Sequence, residues 1–207
     1  MATKIYECMQ KISDGIVENK DFLTDLDREI GDADHGVNMA RGFTEVMNQL
    51  PQDEEDISVI LKKTGMTLLS KVGGASGPLY GTAYMKAAGA VTGKKELTIE
   101  DGKAMLEAVI GGIKMRGKAE RGEKTMLDAL EPAYDALCKA IEDGESTQEC
   151  LNKMCDAAKE GVEYTKTIRA TKGRASYLGD RSIGHQDPGA TSSLITLEAI
   201  RDFVAEN

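Results

Sequence analysis

The sequence predicts an all-α protein, packed as an antiparallel eight-helix barrel or bundle with a binding site at one end. Apolar residues recur at helical spacing along almost the whole chain, and no segment shows the two-residue alternation of a half-buried strand. The interruptions between the periodic segments are rich in glycine and aspartate. At 207 residues, the chain suits a single domain over residues 1–207.

Five helices are predicted in the first half of the chain. Ile5, Cys8, Ile12 and Ile16 form one apolar face of the first segment, which is the spacing of a packed amphipathic helix. Pro51 ends the third helix, and a glycine pair ends the fourth. The fifth is rich in small residues, which suggests a central position in the bundle. The predicted spans are 1–18, a short helix at 22–26, 38–50, 57–72 and 78–92.

Four more helices are predicted in the second half, and each begins with a recognisable cap. Thr98 precedes Asp101 in a start that resembles a capping box, and Ser146 with Glu149 forms a complete one. Asp187, followed by a proline, is a typical N-cap for the last helix. The predicted spans are 98–117, 125–144, 146–165 and a final helix from 187 onward.

Composition excludes several classes of partner. The net charge of -9, from 26 Lys and Arg against 35 Asp and Glu, argues against direct binding to nucleic acid or an anionic membrane. We find neither a run of eighteen apolar residues nor a signal-peptide pattern. The four cysteines lack zinc-site spacing and are predicted to be buried thiols of a cytoplasmic protein. With only two histidines, a histidine-rich metal site is excluded.

Three carboxylates form the most informative cluster in the sequence. Asp27, Asp32 and Asp34 fall within eight residues, and Gly31 and Gly36 allow the backbone to fold tightly between them. Such a cluster is favourable when a hard cation lies among the oxygens, because Mg²⁺ accepts carboxylates and shares its other positions with phosphates and water. The cluster therefore predicts a metal cage completed by a polyphosphate. The alternative is a solvated acidic turn after a helix.

Two further loops are predicted to contribute to the same site. The segment 73–82 has three glycines in five residues before Pro78, which is typical of a phosphate-binding loop opening onto a helix, although a plain helix-to-helix turn is the alternative. The segment 171–187 has no periodicity and is long for a structural loop, so we interpret it as functional; a structural or mobile loop is the alternative. In an up-and-down bundle these loops, the aspartate turn and the loop 117–125 lie at one end.

These motifs together resemble a known family. Over essentially the whole chain, the sequence is similar to the nucleotide-binding subunit L of bacterial dihydroxyacetone kinases that depend on the phosphotransferase system. One position departs from the family pattern, since Ala33 stands where the family usually has glycine; we expect the carboxylates to be undisturbed. The matching segments are 31–36, 73–82, 116–119, 124–128, 173–179 and 187–190.

The resemblance implies an eight-helix barrel that holds ADP or ATP and two Mg²⁺ ions at one end. The implied metal ligands are Asp27, Asp32 and Asp34. No residue of the chain is expected to act as a general base. The positions implied to contact the nucleotide are His35, Gly36, Val37, Asn38, Ser76, Gly77, Gly117, Met126, Arg174, Asp187, Pro188 and Gly189.

The resemblance also implies an activity and partners. A phosphohistidine on subunit M recharges the bound ADP to ATP, and the phosphoryl group then passes to dihydroxyacetone held on subunit K. Some relatives also contact a transcriptional regulator. Three other functions remain open: a metal-dependent phosphohydrolase, a non-catalytic nucleotide-sensing or interaction module, and the nucleotide domain of a fatty-acid kinase. The phosphohydrolase class normally uses more histidine ligands than this chain can offer.

Overall fold

Helices make up nearly all of the ordered structure. The computed structural model describes residues 2–207, and this part of the chain contains no β-strand. Its nine α-helices are α1 (Lys4–Glu18), α2 (Lys20–Ile30), α3 (His35–Gln49), α4 (Ile57–Lys71), α5 (Ser76–Ala90), α6 (Ile99–Gly117), α7 (Leu127–Glu142), α8 (Thr147–Thr165) and α9 (Pro188–Glu206). A 3-10 helix, Arg174–Ser182, lies between α8 and α9.

Eight of these helices close into a ring. Helix α1 packs on α3, each helix from α3 to α9 packs on the next along the chain, and α9 returns to pack on α1. Helix α2 stands outside this ring and packs on α3 and α9. The predicted all-α eight-helix barrel is confirmed, and α2 is the predicted extra helix.

The core is a continuous layer of aliphatic and aromatic side chains inside the ring. Phe43 of α3 and Tyr84 of α5 meet edge to face, with ring centroids 6.0 Å apart. Helices α4 and α5 approach closely at two glycines, because a Cβ atom on Gly65 would lie 2.8 Å from the carbonyl oxygen of Gly81. The small residues predicted to make α5 central therefore serve this contact, and α5 also packs on α6.

Several predicted spans differ from the structure. Helix α2 has eleven residues rather than the short helix predicted at 22–26. Helix α3 begins at His35, not at residue 38, since Asp34 already occupies the N-cap position. Part of the loop predicted at 171–187 is a 3-10 helix, in which Ala175 packs with Ile30 and Ala170 in a small apolar cluster. The predicted first helix included residue 1, which lies outside the described residues.

The cysteines match their prediction only in part. Cys150 and Cys155 are buried free thiols, whereas Cys8 and Cys138 are half-buried. Across residues 2–207, no helix combines the length and the apolar character needed to cross a bilayer.

Candidate functional site

The predicted loops meet around one cavity at an end of the barrel. It has a volume of about 450 Å³, which is within the ~300–1,000 Å³ typical of small-molecule sites. Four separate segments line it: residues 27–35 with the aspartate turn, 74–80 at the start of α5, 116–126 between α6 and α7, and 172–189 before and into α9. The prediction that alternate connections share one end of the bundle is therefore confirmed.

The three aspartates converge on one point of this cavity. One carboxylate oxygen from each of Asp27, Asp32 and Asp34 lies within 4.8 Å of the others. The buried Asp27 carboxylate accepts hydrogen bonds from the backbone N–H groups of Asp34 (2.8 Å) and His35 (3.1 Å). These bonds hold the turn closed over the last residues of α2. The oxygens form a hard, anionic donor set, which fits Mg²⁺.

Asp32 also has a cationic partner. Its carboxylate lies 2.9 Å from the Arg174 guanidinium, which stands at the start of the 3-10 helix. This ion pair connects the aspartate turn to the segment before α9, so two of the four cavity walls are held together across the site.

Ala33 adopts the left-handed conformation, with φ of 57°. For an L-residue other than glycine this conformation costs about 1–2 kcal/mol, which a glycine would avoid. Glycine also has a larger unfolded-state entropy, which offsets about 0.4–1 kcal/mol of that gain in stability. We therefore expect Ala33→Gly to raise the free energy of unfolding by about 0.5–1 kcal/mol, or about 1–4 °C in Tm for a chain of this size. Thermal unfolding measures the change. A lower Tm for the glycine variant would show that Ala33 is not strained.

Three helix N-termini border the cavity. Helix α3 begins at His35, α5 at Ser76 and α9 at Pro188, and all three residues line the cavity. The positive ends of the helix dipoles favour an anion such as phosphate. Anionic carboxylates and anion-binding helix ends therefore lie side by side, an arrangement suited to a metal-bound polyphosphate.

His35 is buried between two hydroxyl groups. Its Nδ1 lies 2.9 Å from Ser76 Oγ and its Nε2 lies 2.9 Å from Ser192 Oγ. Burial lowers the pKa of His35 to about 4, against a smaller opposing effect of the Asp27 charge. The ring is therefore neutral near pH 7 and both of its nitrogens are already engaged.

Lys124 is a buried cation in the segment between α6 and α7. Its side chain is 2% exposed, and Nζ donates to the carbonyl oxygens of Thr165 (2.5 Å), Ile168 (3.5 Å) and His185. Burial lowers its pKa, while the Asp187 and Asp128 charges oppose that shift. The ammonium group thus joins the loop before α7 to the chain between α8 and α9.

Asp187 is the N-cap of α9 and is buried against the cavity floor. Its Oδ2 accepts the Ala190 N–H at 2.7 Å. Burial raises the pKa of Asp187 to about 7, Asp128 adds to the rise, and the Ala190 hydrogen bond and Lys124 oppose it.

This shift predicts a pH dependence of stability. A carboxyl whose folded pKa is raised favours the fold fully below its unfolded value near 3.8, and that contribution is lost as pH rises through about 7. Asp187→Asn keeps an N-cap side chain but cannot ionise. From pH 4 to 8, the wild type should therefore lose free energy of unfolding relative to Asp187→Asn, as measured by urea unfolding. Parallel pH profiles for the two proteins would show that the pKa of Asp187 is not raised in the folded protein.

Most, but not all, of the predicted site residues line the cavity. Four do not: the Gly36 backbone packs against Lys20 and Thr24, Val37 is 45% exposed, Asn38 accepts from Arg41, and Gly77 lies against Val72. Their nucleotide contacts stay predictions. The predicted residues that line the cavity are Asp27, Asp32, Asp34, His35, Ser76, Gly117, Met126, Arg174, Asp187, Pro188 and Gly189.

Sequence reasoning missed several residues of the site. Arg116, Lys124 and Lys172 add cationic side chains to the cavity wall. Tyr80 also lines the cavity, and its hydroxyl lies 2.6 Å from the hydroxyl of Ser192, which is buried behind the cavity wall. Tyr80 follows Ser76 by one helical turn, so the shared helix face was the available sequence signal for it.

Comparison with known proteins identifies one family. The DAK2 domain family matches residues 29–202. The ADP-binding subunit DhaL of a PEP-dependent dihydroxyacetone kinase from Escherichia coli is 47% identical over 96% of this chain and 95% of its own length. A DhaL subunit from Listeria innocua is 47% identical over 89% of this chain and 88% of its own.

A solved structure shares the fold. The dihydroxyacetone kinase of C. freundii, in complex with AMP-PNP and Mg²⁺, superposes with a TM-score of 0.70 over 96% of this chain at 24% identity. The match covers 33% of the longer C. freundii chain. At this identity the comparison supports the barrel architecture.

Proposed function

This chain belongs to the DAK2 domain family, and from that premise we propose that it is the ADP-binding subunit of a PEP-dependent dihydroxyacetone kinase. One observation carries the proposal: three carboxylates within 4.8 Å of one another face a cavity bordered by three helix N-termini. Phosphoryl transfer depends mainly on positioning and on stabilising the charge of the phosphates. Both requirements are met by this arrangement.

The proposed cofactors are ADP or ATP and two Mg²⁺ ions. Asp27, Asp32 and Asp34 would hold the metal, whose chemistry is to neutralise charge on the phosphate oxygens. The starts of α5, at Ser76, and of α9, at Gly189, would meet the phosphates with backbone N–H groups, since Pro188 itself has none. The remaining length of the cavity would accept the nucleoside, with Gly117 and Met126 in its wall.

We assign the acceptor and the phosphoryl donor to other proteins. A phosphohistidine on subunit M would pass its phosphoryl group to the β-phosphate of ADP, and the resulting ATP would pass its γ-phosphoryl group to a hydroxyl of dihydroxyacetone on subunit K. The histidines of this chain support the absence of a general base. His35 has both nitrogens hydrogen-bonded, and His185 is not among the residues that line the cavity.

The segment before α9 is suited to contact with such a partner. Tyr177 in the 3-10 helix is 87% exposed, and Ile183, one residue beyond that helix, is 46% exposed. Exposed aromatic residues are enriched in protein interfaces. Because Arg174 at the other end of this helix lines the cavity, a partner bound here would stand next to the nucleotide. Contact with a transcriptional regulator stays a prediction.

The proposal predicts that the purified chain alone does not phosphorylate dihydroxyacetone. Adding phosphorylated subunit M and subunit K should produce dihydroxyacetone phosphate, because these proteins supply the donor and the bound acceptor. Coupled-enzyme detection of the product measures both reactions, and native mass spectrometry of the purified chain should reveal retained ADP. Turnover by the chain alone would refute the division of roles, and phosphate release from ATP without an acceptor would favour a hydrolase.

A further inference from the structure

A chain of buried hydroxyl groups runs from the core to the cavity wall. Tyr80 Oη lies 2.6 Å from Ser192 Oγ, Ser192 Oγ lies 2.9 Å from His35 Nε2, and His35 Nδ1 lies 2.9 Å from Ser76 Oγ. Ser192 is completely buried, and Tyr80 and His35 are 4% and 7% exposed. These residues join α3, α5 and α9, whose N-termini border the cavity.

Counting the available hydrogens shows which group donates and which accepts in each of these hydrogen bonds. Ser192 Oγ has one hydrogen but four neighbours in bonding distance: His35 Nε2, Tyr80 Oη, and the carbonyl oxygens of Pro188 (3.0 Å) and Gly189 (3.2 Å). A hydroxyl can donate once and accept twice, and a carbonyl can only accept. The largest number of bonds is made when Ser192 donates to a carbonyl and accepts from both Tyr80 and His35.

This arrangement fixes the proton on the imidazole. A neutral histidine that donates through Nε2 has an unprotonated Nδ1, which can only accept. The hydrogen-bond partner of Nδ1 is Ser76, so Ser76 must donate its hydroxyl hydrogen to the ring. The reverse tautomer would require Ser192 to donate to His35 and would remove its bond to the carbonyls at the start of α9.

We propose that Ser192 is a positioning residue of the nucleotide site, which holds His35 as the Nε2–H tautomer and thereby fixes the Ser76 hydroxyl at the cavity wall. Ser192 does not itself line the cavity; it acts through the ring. Tyr80 supports it by occupying one lone pair of the Ser192 oxygen. The effect on nucleotide binding rests on the proposed function, whereas the tautomer is a property of the unliganded chain.

The consequence is that the part of the cavity proposed to bind the phosphates is already ordered before the nucleotide binds. Because its hydrogen is directed at His35, the Ser76 side chain keeps one orientation. The same hydrogen bonds hold the first turn of α5 in a fixed position relative to the first turns of α3 and α9. Losing Ser192 leaves the His35 ring without its Nε2 partner, and the expected effect is about a tenfold rise in Kd for Mg-ADP, which corresponds to about 1.4 kcal/mol of binding free energy.

Nitrogen-15 NMR of the imidazoles tests the tautomer directly, because the chain has only two histidines and His185→Gln assigns the remaining signals. In chelator-treated protein we expect one protonated nitrogen at Nε2 of His35 and one unprotonated nitrogen at Nδ1. Ser192→Ala should move both shifts toward averaged values. Thr196→Val removes a hydroxyl that donates to the Ser192 backbone carbonyl (3.0 Å) but does not contact the Ser192 side chain or His35, and it should leave both shifts unchanged.

Calorimetry with Mg-ADP gives the functional half of the test. Ser192→Ala should bind about tenfold more weakly than Thr196→Val. A protonated Nδ1, or averaged shifts, in the wild type would overturn the proposal even if Ser192→Ala failed to fold. Equal affinities for the two variants would also overturn it. If the wild type shows the expected tautomer but does not bind Mg-ADP, the proposed function fails while the assignment of Ser192 to the His35 tautomer holds.

Discussion

Asp32→Ala should cost about 2–5 kcal/mol of binding free energy for Mg-ADP, a rise in Kd from about 30-fold to several thousand-fold. The proposed metal loses one of three carboxylates that lie within 4.8 Å of one another. Isothermal titration calorimetry with Mg-ADP measures the loss, and titration with Mn²⁺ reports on the metal alone.

Asp21→Ala is the matched control for this variant. Asp21 lies in α2, the helix that precedes the aspartate turn, and its side chain is 92% exposed next to Lys20. Its removal changes the net charge by the same amount but leaves the cavity intact. We expect its affinity to match the wild type. If Asp32→Ala also bound Mg-ADP with wild-type affinity, the aspartate cluster would not be the metal site and the kinase proposal would lose its main support.

The fold was predictable because most of its helices are marked by residues close together in the sequence. Helical spacing of apolar residues marks each helix, and caps such as Thr98 and Ser146 accept the expected N–H groups in the structure. With most helices located, antiparallel packing was enough to place four loops at one end. The 3-10 helix between α8 and α9 was missed because its order depends on Ala175 packing against Ile30 of α2, a contact that no local pattern shows.

The site was predictable to the extent that its residues are clustered in sequence. Asp27, Asp32 and Asp34 lie in one turn, so their convergence follows from short-range geometry. The His35–Ser192 contact joins residues 157 positions apart, and a serine inside an apolar helix gives no sign of its partner. Gly36 and Gly77 were assigned to the nucleotide by resemblance, whereas each is required here by close backbone packing.

Lys124 shows the same limit most clearly, because a lysine in a polar loop is typically exposed. Its carbonyl partners lie 41 to 61 residues further along the chain. Lys124 also adopts the left-handed conformation, with φ of 60°, and its side chain is buried. There the ammonium group faces the carboxyl end of α8 at Thr165, where the helix dipole favours a cation.

Lys124→Met should therefore destabilise the fold by about 3–5 kcal/mol, because it leaves buried carbonyl groups without donors and the Asp187 and Asp128 charges without their cation. For a chain of this size, that corresponds to a fall in Tm of about 6–20 °C. Chemical denaturation measures the free energy. Relative to the wild type, amide hydrogen exchange should increase most in residues 166–187, because this segment loses its connection to the loop before α7.

Lys118→Met separates this effect from the substitution itself. Lys118 has a similar left-handed backbone, with φ of 49°, in the same loop, but its side chain is exposed. Surface substitutions of this kind usually change stability by less than about 0.5 kcal/mol. A similar loss in both variants would mean that the buried ammonium is not what stabilises the fold at Lys124. A large loss in Lys124→Met alone would establish the ammonium as the link between two walls of the cavity.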